Sequence, residues 1–510
     1  MRHETLNMNL LISGIETSYG NDNITYKQDF TSTSPRSIEE DVCHAWFSNK
    51  PSSEDMTCME IVRQKRSYPE SARNGRDLSF TGVRVDGGSM ISPVTFVSHW
   101  KLSTNYQKNL TVSFQAESSK LIIKKDVFLF DNEGNSFALE VTFESLYDTV
   151  IVQKTDERVF MLFNLKSNPK IYENAGNSRD IAEHTGCGDM GYLNTYRLEF
   201  DTTRHQYSEI DNVLSRFMCI GFHVAHAELR LLTPHSEHIV FPQNNFEVEY
   251  AWMCVKHLGY KVLDHITLRE KEHIEQLCRR KDLLASQIFY DLAVQLNKKP
   301  FFSFTEELHM ILNRSKMTES DEEVSSFSIV PRIVITPTKL LYLPKELVFQ
   351  NRILRRYGEE FFIKVVIRDE DFSKISMVQS SALDSILERI KAICNRGFKV
   401  NGRQLDFLGC SNSQLREHSF WFFHPHDGIT SEGIRNNSGD LSSEKCVASY
   451  VSRFGLCFSS TQETIDIDSS CVVYMKDVRN ENYCFTDGIG CISPHLAKRV
   501  IIVLALSHNL

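Results

Sequence analysis

Phe407-Leu408-Gly409-Cys410-Ser411-Asn412-Ser413-Gln414-Leu415-Arg416-Glu417-His418 runs directly into Ser419-Phe420-Trp421-Phe422-Phe423. The second string is a short apolar run that reads as a strand from Ser419 to Phe423. Continuous aromatic residues at a strand end fill a core more often than they stack on nucleic-acid bases, so Trp421, Phe422 and Phe423 are assigned to packing.

Outward from this strand the pattern is mixed. Arg332 to Ile335 and Phe361 to Ile367 read as strands, Ser381 to Cys394 and Cys446 to Phe454 as helices, and Val472-Val473-Tyr474-Met475 as a last strand. Upstream, Lys316 to Ser328 is acidic and serine-rich, the composition of a boundary. Between Ile266 and Leu312 the period is helical, with Leu277, Leu284, Ile288 and Leu292 on one face.

The earlier chain is dominated by short apolar runs. Residues 95 to 175 read as mainly antiparallel β structure, with strands at Thr149 to Val152 and Val159 to Leu165 and a hairpin loop at Asp131-Asn132-Glu133-Gly134-Asn135. After a glycine- and acid-rich break from Asn174 to Gly191, Tyr196 to Phe200 alternates, Val213 to Leu231 reads as helical, and Phe246-Glu247-Val248-Glu249-Tyr250 alternates again. The expected architecture is α+β and multidomain: a poorly patterned leader over 1–85, a mainly β region over 86–260 that binds RNA or a partner, a helical connector over 261–315, a linker over 316–328, and a further domain over 329–510.

Composition narrows the function classes. The 510 residues carry 57 basic and 66 acidic side chains, a formal net charge of -9, so contact with nucleic acid has to come from a local groove and not from bulk charge. Thirteen cysteines form no Cys-x-x-Cys pair, which points to a reducing intracellular compartment, cytoplasmic or nuclear. The first residues lack the apolar run of a secretory signal, and the apolar run Val500 to Leu506 is too short to span a bilayer, so no membrane role is expected. No P-loop, dinucleotide fingerprint or kinase signature is present.

Four strings in order carry a resemblance. They are Ile335-Thr336-Pro337-Thr338 with Asn351-Arg352-Ile353-Leu354-Arg355 and Phe362-Ile363-Lys364-Val365; the Phe407 to His418 string with Trp421 to Phe423; Arg453-Phe454-Gly455-Leu456-Cys457-Phe458-Ser459-Ser460-Thr461; and Tyr483-Cys484-Phe485-Thr486-Asp487-Gly488-Ile489-Gly490-Cys491-Ile492-Ser493. Together they resemble the front of the catalytic region of the cellular RNA-directed RNA polymerases of gene silencing. The resemblance covers roughly Arg332 to Val500 and implies a double-psi β-barrel fold, incomplete here. It also implies nucleotidyl transfer from ribonucleoside triphosphates onto RNA copied from a single-stranded RNA template. Magnesium as cofactor, a role in small interfering RNA processing and silencing-complex proteins as partners follow from it too.

The resemblance marks site residues as well. Arg352, Arg355, Lys364, Arg416, His418 and Arg453 are its RNA-contacting candidates, suited to holding phosphates without reading bases. Asp487, Gly488 and Gly490 are expected to support the cleft, the glycines permitting a sharp turn. Two departures stand out: the family has a lysine where this chain has Ser449, and a glutamine where it has Leu456.

The family's Asp-x-Asp-Gly-Asp metal loop has no counterpart in the 510 residues, so the expectation is a chain that lacks the catalytic aspartates and ends inside the barrel region. The alternative function is then a non-catalytic RNA-binding or assembly fragment of that family. Neither Asp466-Ile467-Asp468 nor Asp369-Glu370-Asp371 is expected to replace the loop; the latter reads as a solvated strand end. His184 to Asp189, the histidines at 223, 226, 235 and 238, and His424-Pro425-His426 are read as loop or core residues, and no metal site is expected among them.

Overall fold

The computed structural model describes residues 76–507 apart from 102–109, 126–136, 174–177, 180–189, 235–238, 240–244, 280–282, 316–326, 338, 376–380, 443, 445, 481–482 and 487–489. The hairpin loop read at Asp131 to Asn135, the His184 to Asp189 string, His235 and His238 lie outside the described residues.

Two sheets form the first layer pair. One has the order β1-β4-β5-β6-β9-β10, with β1 Leu78–Thr81, β4 Leu110–Gln115, β5 Lys120–Lys125, β6 Phe137–Thr142, β9 Lys170–Glu173 and β10 Ser178–Arg179. The other has the order β12-β7-β8-β11-β2-β3-β13, with β2 Arg84–Ser92, β3 Thr95–Lys101, β7 Leu146–Lys154, β8 Arg158–Leu165, β11 Thr195–Asp201, β12 His223–His226 and β13 Arg230–Leu232. Along β4 the apolar Leu110, Val112 and Phe114 are the more buried and Thr111, Ser113 and Gln115 the less, the period of two expected of a strand with one face on a core. The inward residues of both sheets share a single core, closed by helix α1, Tyr207–Cys219, through Ile210, Val213, Leu214 and Phe217. The helix is shorter than the Val213 to Leu231 reading because His223–His226 and Arg230–Leu232 join the sheet edges as parallel strands.

A helical layer follows: α2 Phe246–Lys256, α3 Tyr260–Leu263, α4 Leu268–Arg279, α5 Leu283–Lys298 and α6 Phe304–Ser315. The alternation at Phe246 to Tyr250 is therefore helix and not strand. Asn245 caps it by accepting from the Val248 N–H, and Val248, Ala251, Trp252 and Val255 recur at helical spacing and are all buried.

The third sheet has the order β15-β14-β16-β19-β18-β17, with β14 Phe327–Ile335, β15 Leu340–Phe349, β16 Phe362–Ile367, β17 Phe398–Val400, β18 Arg403–Gly409 and β19 Ser419–Phe423. One face, carrying Ile333, Ile335, Ile363, Val365, Phe420 and Phe422, shares its core with α2, α4, α5 and α6. The other carries Val330, Phe362, Leu408, Trp421 and Phe423 and is covered by short helices: α7 Arg352–Tyr357, α10 Ser431–Asn436 and α11 Val447–Gly455. Helix α8, Ser381–Arg396, packs on β18 and against β10, and contributes Ile386, Leu387 and Ile390 to the core on the first face, while α9, Asn412–Arg416, precedes β19. The Tyr250 hydroxyl lies 2.8 Å from the Arg332 carbonyl oxygen and 3.0 Å from that of Leu343, at the β14–β15 bulge. One side chain from the helical layer thus pins the irregular point of the hairpin.

Residues beyond the 3-10 turn Leu456–Phe458 are largely exposed. Val472 to Met475 form no strand; the only paired strands there, among the described residues, are β20 Arg479–Asn480 and β21 Tyr483–Cys484, before helix α12, Pro494–Ser507. A strand needs a neighbour for its backbone groups, and none of the described residues supplies one at 472–475. No described helix is long and apolar enough to cross a membrane.

Candidate nucleic-acid interface

Three of the four sequence strings meet on the α7 and α11 side of the third sheet. Gly409 ends β18 so close to α11 that a Cβ there would sit 2.4 Å from Phe454, and a Cβ on Gly455 would sit 2.9 Å from the Cys410 carbonyl oxygen. Both positions need glycine because backbone and ring approach within a methyl group's radius. The Asn351 carboxamide caps α7, accepting from the Ile353 and Leu354 N–H groups at 3.0 Å, and its backbone bridges to Ser460. The Thr461 N–H donates to the Gln350 carbonyl at 3.0 Å, and Arg355 binds the Thr461 hydroxyl at 2.9 Å. Residues some 50 and 100 positions apart are thus clasped at backbone distance.

That clasp sets the cations. Arg352 is exposed on α7 and donates to the Ser438 carbonyl at 3.2 Å. Arg453, on the last turn of α11, pairs with Glu444 at 2.7 Å and keeps 44% of its side chain exposed. Arg416 is exposed at the end of α9, which is tied to α11 by the Asn412 carboxamide donating to the Ser452 hydroxyl at 3.0 Å. Arg352, Arg355, Arg416 and Arg453 therefore stand on neighbouring elements around one glycine contact.

Lys364 and His418 are held differently. Lys364 is engaged by Glu346, which also binds Arg332 at 2.8 Å, and its register partner on β19 is Trp421. His418 is buried with φ 47, and burial first, then the charges of Arg368 and Lys374, push its pKa down to about 4. It is a neutral imidazole at neutral pH and adds no charge to the arginine group.

The reading of Asp369 to Asp371 as a solvated strand end does not hold. Asp369 and Glu370 are buried, and Asp369 pairs with Lys170 of β9 at 2.8 Å, which joins the third sheet to the first. Their sequence neighbourhood is polar, but the partner lies 199 positions away, beyond any local pattern. Trp421, Phe422 and Phe423 are core, as their sequence reads.

A sequence model described as RNA dependent RNA polymerase matches residues 335–509. That stretch, about a third of the chain, is similar to the RNA-dependent RNA polymerase family. The chain is 34% identical over 232 residues to RNA-dependent RNA polymerase 6 of Arabidopsis thaliana, covering 41% of this chain and 19% of that protein. The probable RNA-dependent RNA polymerase SHL2 of Oryza sativa subsp. japonica is 33% identical over 42% of this chain and 19% of its own length. RNA-dependent RNA polymerase 1 of Schizosaccharomyces pombe is 25% identical over 431 residues, 77% of this chain and 35% of that protein. The match thus spans about a fifth to a third of the length of these polymerases.

Nucleotidyl transfer uses carboxylates converging on divalent ions. Among the described residues no group of three or more His, Cys, Asp and Glu side chains could hold a metal. Asp466 and Asp468 stand in an exposed segment where Asp468 accepts from the Ser470 N–H at 2.8 Å, and the Asp369 carboxylate is spent on Lys170. These residues do not fit a magnesium site, and no chemical step is routed through them. Asp487 and Gly488 lie outside the described residues, and Gly490 is exposed, with open space where a Cβ would stand.

The polymerase reading missed Tyr250, Lys170, and the lysines at 166, 261 and 339 that face one another across the three layers. Tyr250 and Lys170 act through partners far away in sequence, so no spacing announces them.

Proposed function

We propose that this chain supplies the front of the catalytic region of a gene-silencing RNA-directed RNA polymerase, an enzyme that copies a single-stranded RNA template from ribonucleoside triphosphates with magnesium. The observation that carries the reading is the coincidence of the family match over residues 335–509 with the clasp of three motif strings around Gly409 and Gly455. In this proposal the third sheet is the front of a double-psi β-barrel, residues 86–260 present RNA or a partner, and the helices over 261–315 brace the barrel. Arg352, Arg355, Arg416 and Arg453 position the phosphate backbone, and Lys364 joins them when RNA displaces Glu346. Asp487, Gly488 and Gly490 support the cleft. Ser449 and Leu456 remove one cation and one amide from that surface, which lowers affinity for phosphate.

The 510 residues contain no Asp-x-Asp-Gly-Asp string, so the metal-holding aspartates are not assigned among them. The test is magnesium-dependent incorporation of labelled ribonucleotides on single-stranded RNA by the purified chain, beside salt-dependent RNA binding. Binding that weakens with salt, and further on Arg352→Ala or Arg453→Ala, is the expected result, and RNA indifference at low salt would overturn the proposal. Synthesis by the chain alone would show that aspartates outside the expected loop serve it, and binding without synthesis would identify an RNA-holding part of the polymerase.

A further inference from the structure

Arg332 on β14, Lys364 on β16 and Trp421 on β19 stand opposite one another in the register of the third sheet and make one row across it. Arg332 lies two residues after Val330, Lys364 two after Phe362, and Trp421 two before Phe423. The strand period of two therefore puts the row on the face covered by α7, α10 and α11.

Two cations side by side repel unless an anion stands between them, and Glu346 of β15 takes that place. One of its oxygens accepts from Arg332 Nη1 at 2.8 Å and the other engages the Lys364 ammonium. Two positive charges thus share one carboxylate. Between 19% and 23% of each of these three side chains is exposed, so the group is reachable from solvent.

Donors outnumber acceptors around it. Arg332 Nε and Trp421 Nε1 are buried with no hydrogen-bond partner among the described residues, and both atoms can only donate. Trp421 is 3% exposed, and Ser419 Oγ, two residues away along the same face of β19, is buried and unpaired as well. An unmade hydrogen bond at a buried site is costly, and a group rich in acceptor oxygens is what would meet these donors. The two oxygens of Glu346 are already committed to Arg332 Nη1 and Lys364. A phosphate presents its oxygens tetrahedrally where a carboxylate has two in one plane, and it suits a guanidinium fork beside an ammonium.

We propose, resting on the RNA-holding reading above, that Arg332 and Lys364 form a site for a phosphate of the RNA backbone whose place Glu346 holds until RNA arrives. Glu346 then sets both the strength and the salt dependence of RNA binding. When the phosphate enters between the two cations, the Glu346 carboxylate turns away to water. The edge position of β15, with no further strand beside it among the described residues, leaves room for that exchange.

The experiment is the binding of a labelled single-stranded RNA to the full chain over a salt series, without magnesium or nucleotides. Glu346→Gln should tighten binding about threefold to tenfold and steepen the slope of log affinity against log salt by about 0.7, the value for one more phosphate contact on a single strand. Replacing Arg332 and Lys364 together by glutamine should abolish that gain. Glu388→Gln, which removes an exposed carboxylate on α8, controls for net charge and should leave the affinity unchanged. A cooperative thermal transition shows that each variant folds. If Glu346→Gln does not, Arg332→Gln and Lys364→Gln carry the test, each weakening binding about twofold or more. Unchanged affinity in Glu346→Gln, a gain that survives the double replacement, or an equal gain in Glu388→Gln would overturn the proposal and leave the RNA reading standing. No RNA binding by any variant would overturn both. A gain for pyrophosphate as large as that for RNA would overturn the backbone assignment and mark a site for a free phosphate ligand.

Discussion

Residues 327–458 and 459–507 are similar in apolar content and opposite in what they do with it. In the first, Ile363, Val365, Phe420, Phe422 and Phe423 are sandwiched between a helical layer and a set of short helices. In the second, Tyr474 is 96% exposed, and Val473, Met475, Ile501 and Ile502 are exposed as well. The boundary is the clasp at Asn351, Ser460 and Thr461, after which the described residues are largely exposed. Apolar residues contribute stability only when a second surface removes them from water, so the same composition gives a core in one stretch and an open face in the other.

The sharpest way to break that contrast is to truncate a side chain in each stretch. Phe422→Ala should cost about 3–5 kcal/mol in a denaturant titration because it opens a cavity between the third sheet and its helices. A cost below 1 kcal/mol would mean that this sheet is not packed as described. Asp369→Ala should cost about 2 kcal/mol, since it removes the nearer of the two carboxylates that meet Lys170 at the seam between two sheets, Asp371 standing at 3.8 Å. Lys170→Met in the same background should recover part of the loss.

Acid should act on the packed stretch next. The folded pKa values of His257, about 3, and His418, about 4, lie below the ordinary 6.5. Below pH 6.5 the unfolded chain takes up protons that these buried rings refuse, so their contribution is complete above 6.5 and falls as the pH drops toward the folded values. The slope is at most about 1.4 kcal/mol per pH unit for each histidine. His418→Gln should flatten the midpoint-versus-pH curve between 6.5 and 4, and an unchanged curve would contradict the buried neutral ring.

Tyr250→Phe should cost about 1–2 kcal/mol through the loss of the hydroxyl at the β14–β15 bulge. Tyr474→Ser should change stability by less than about 0.5 kcal/mol, because that ring touches little. A larger loss at Tyr474 would show that the exposed stretch is covered in solution.

Much of the third sheet was legible. Strands at Arg332 to Ile335, Phe361 to Ile367 and Ser419 to Phe423, and helices near Ser381 to Cys394 and Cys446 to Phe454, stand within a few residues of their sequence readings. Each has a local cause in an apolar run or a helical period. Readings failed where tertiary partners decided: Phe246 to Tyr250 alternates yet is a buried helix, and Val472 to Met475 is apolar yet has no strand beside it. The family motifs were legible as strings, but the reason for two of their glycines was not, since Gly409 and Gly455 are explained only by the ring and carbonyl they meet.

By itself the sequence determined the chain's kinship and the order of its elements, because motif identity and periodicity are properties of neighbouring residues. Only the tertiary structure decided that the helices carrying Arg416 and Arg453 are tied together, that Asp369 is a buried seam and that lysines from three layers line one cavity. Those facts depend on contacts between residues up to about 200 positions apart, which the folded layers bring together and local sequence patterns do not encode.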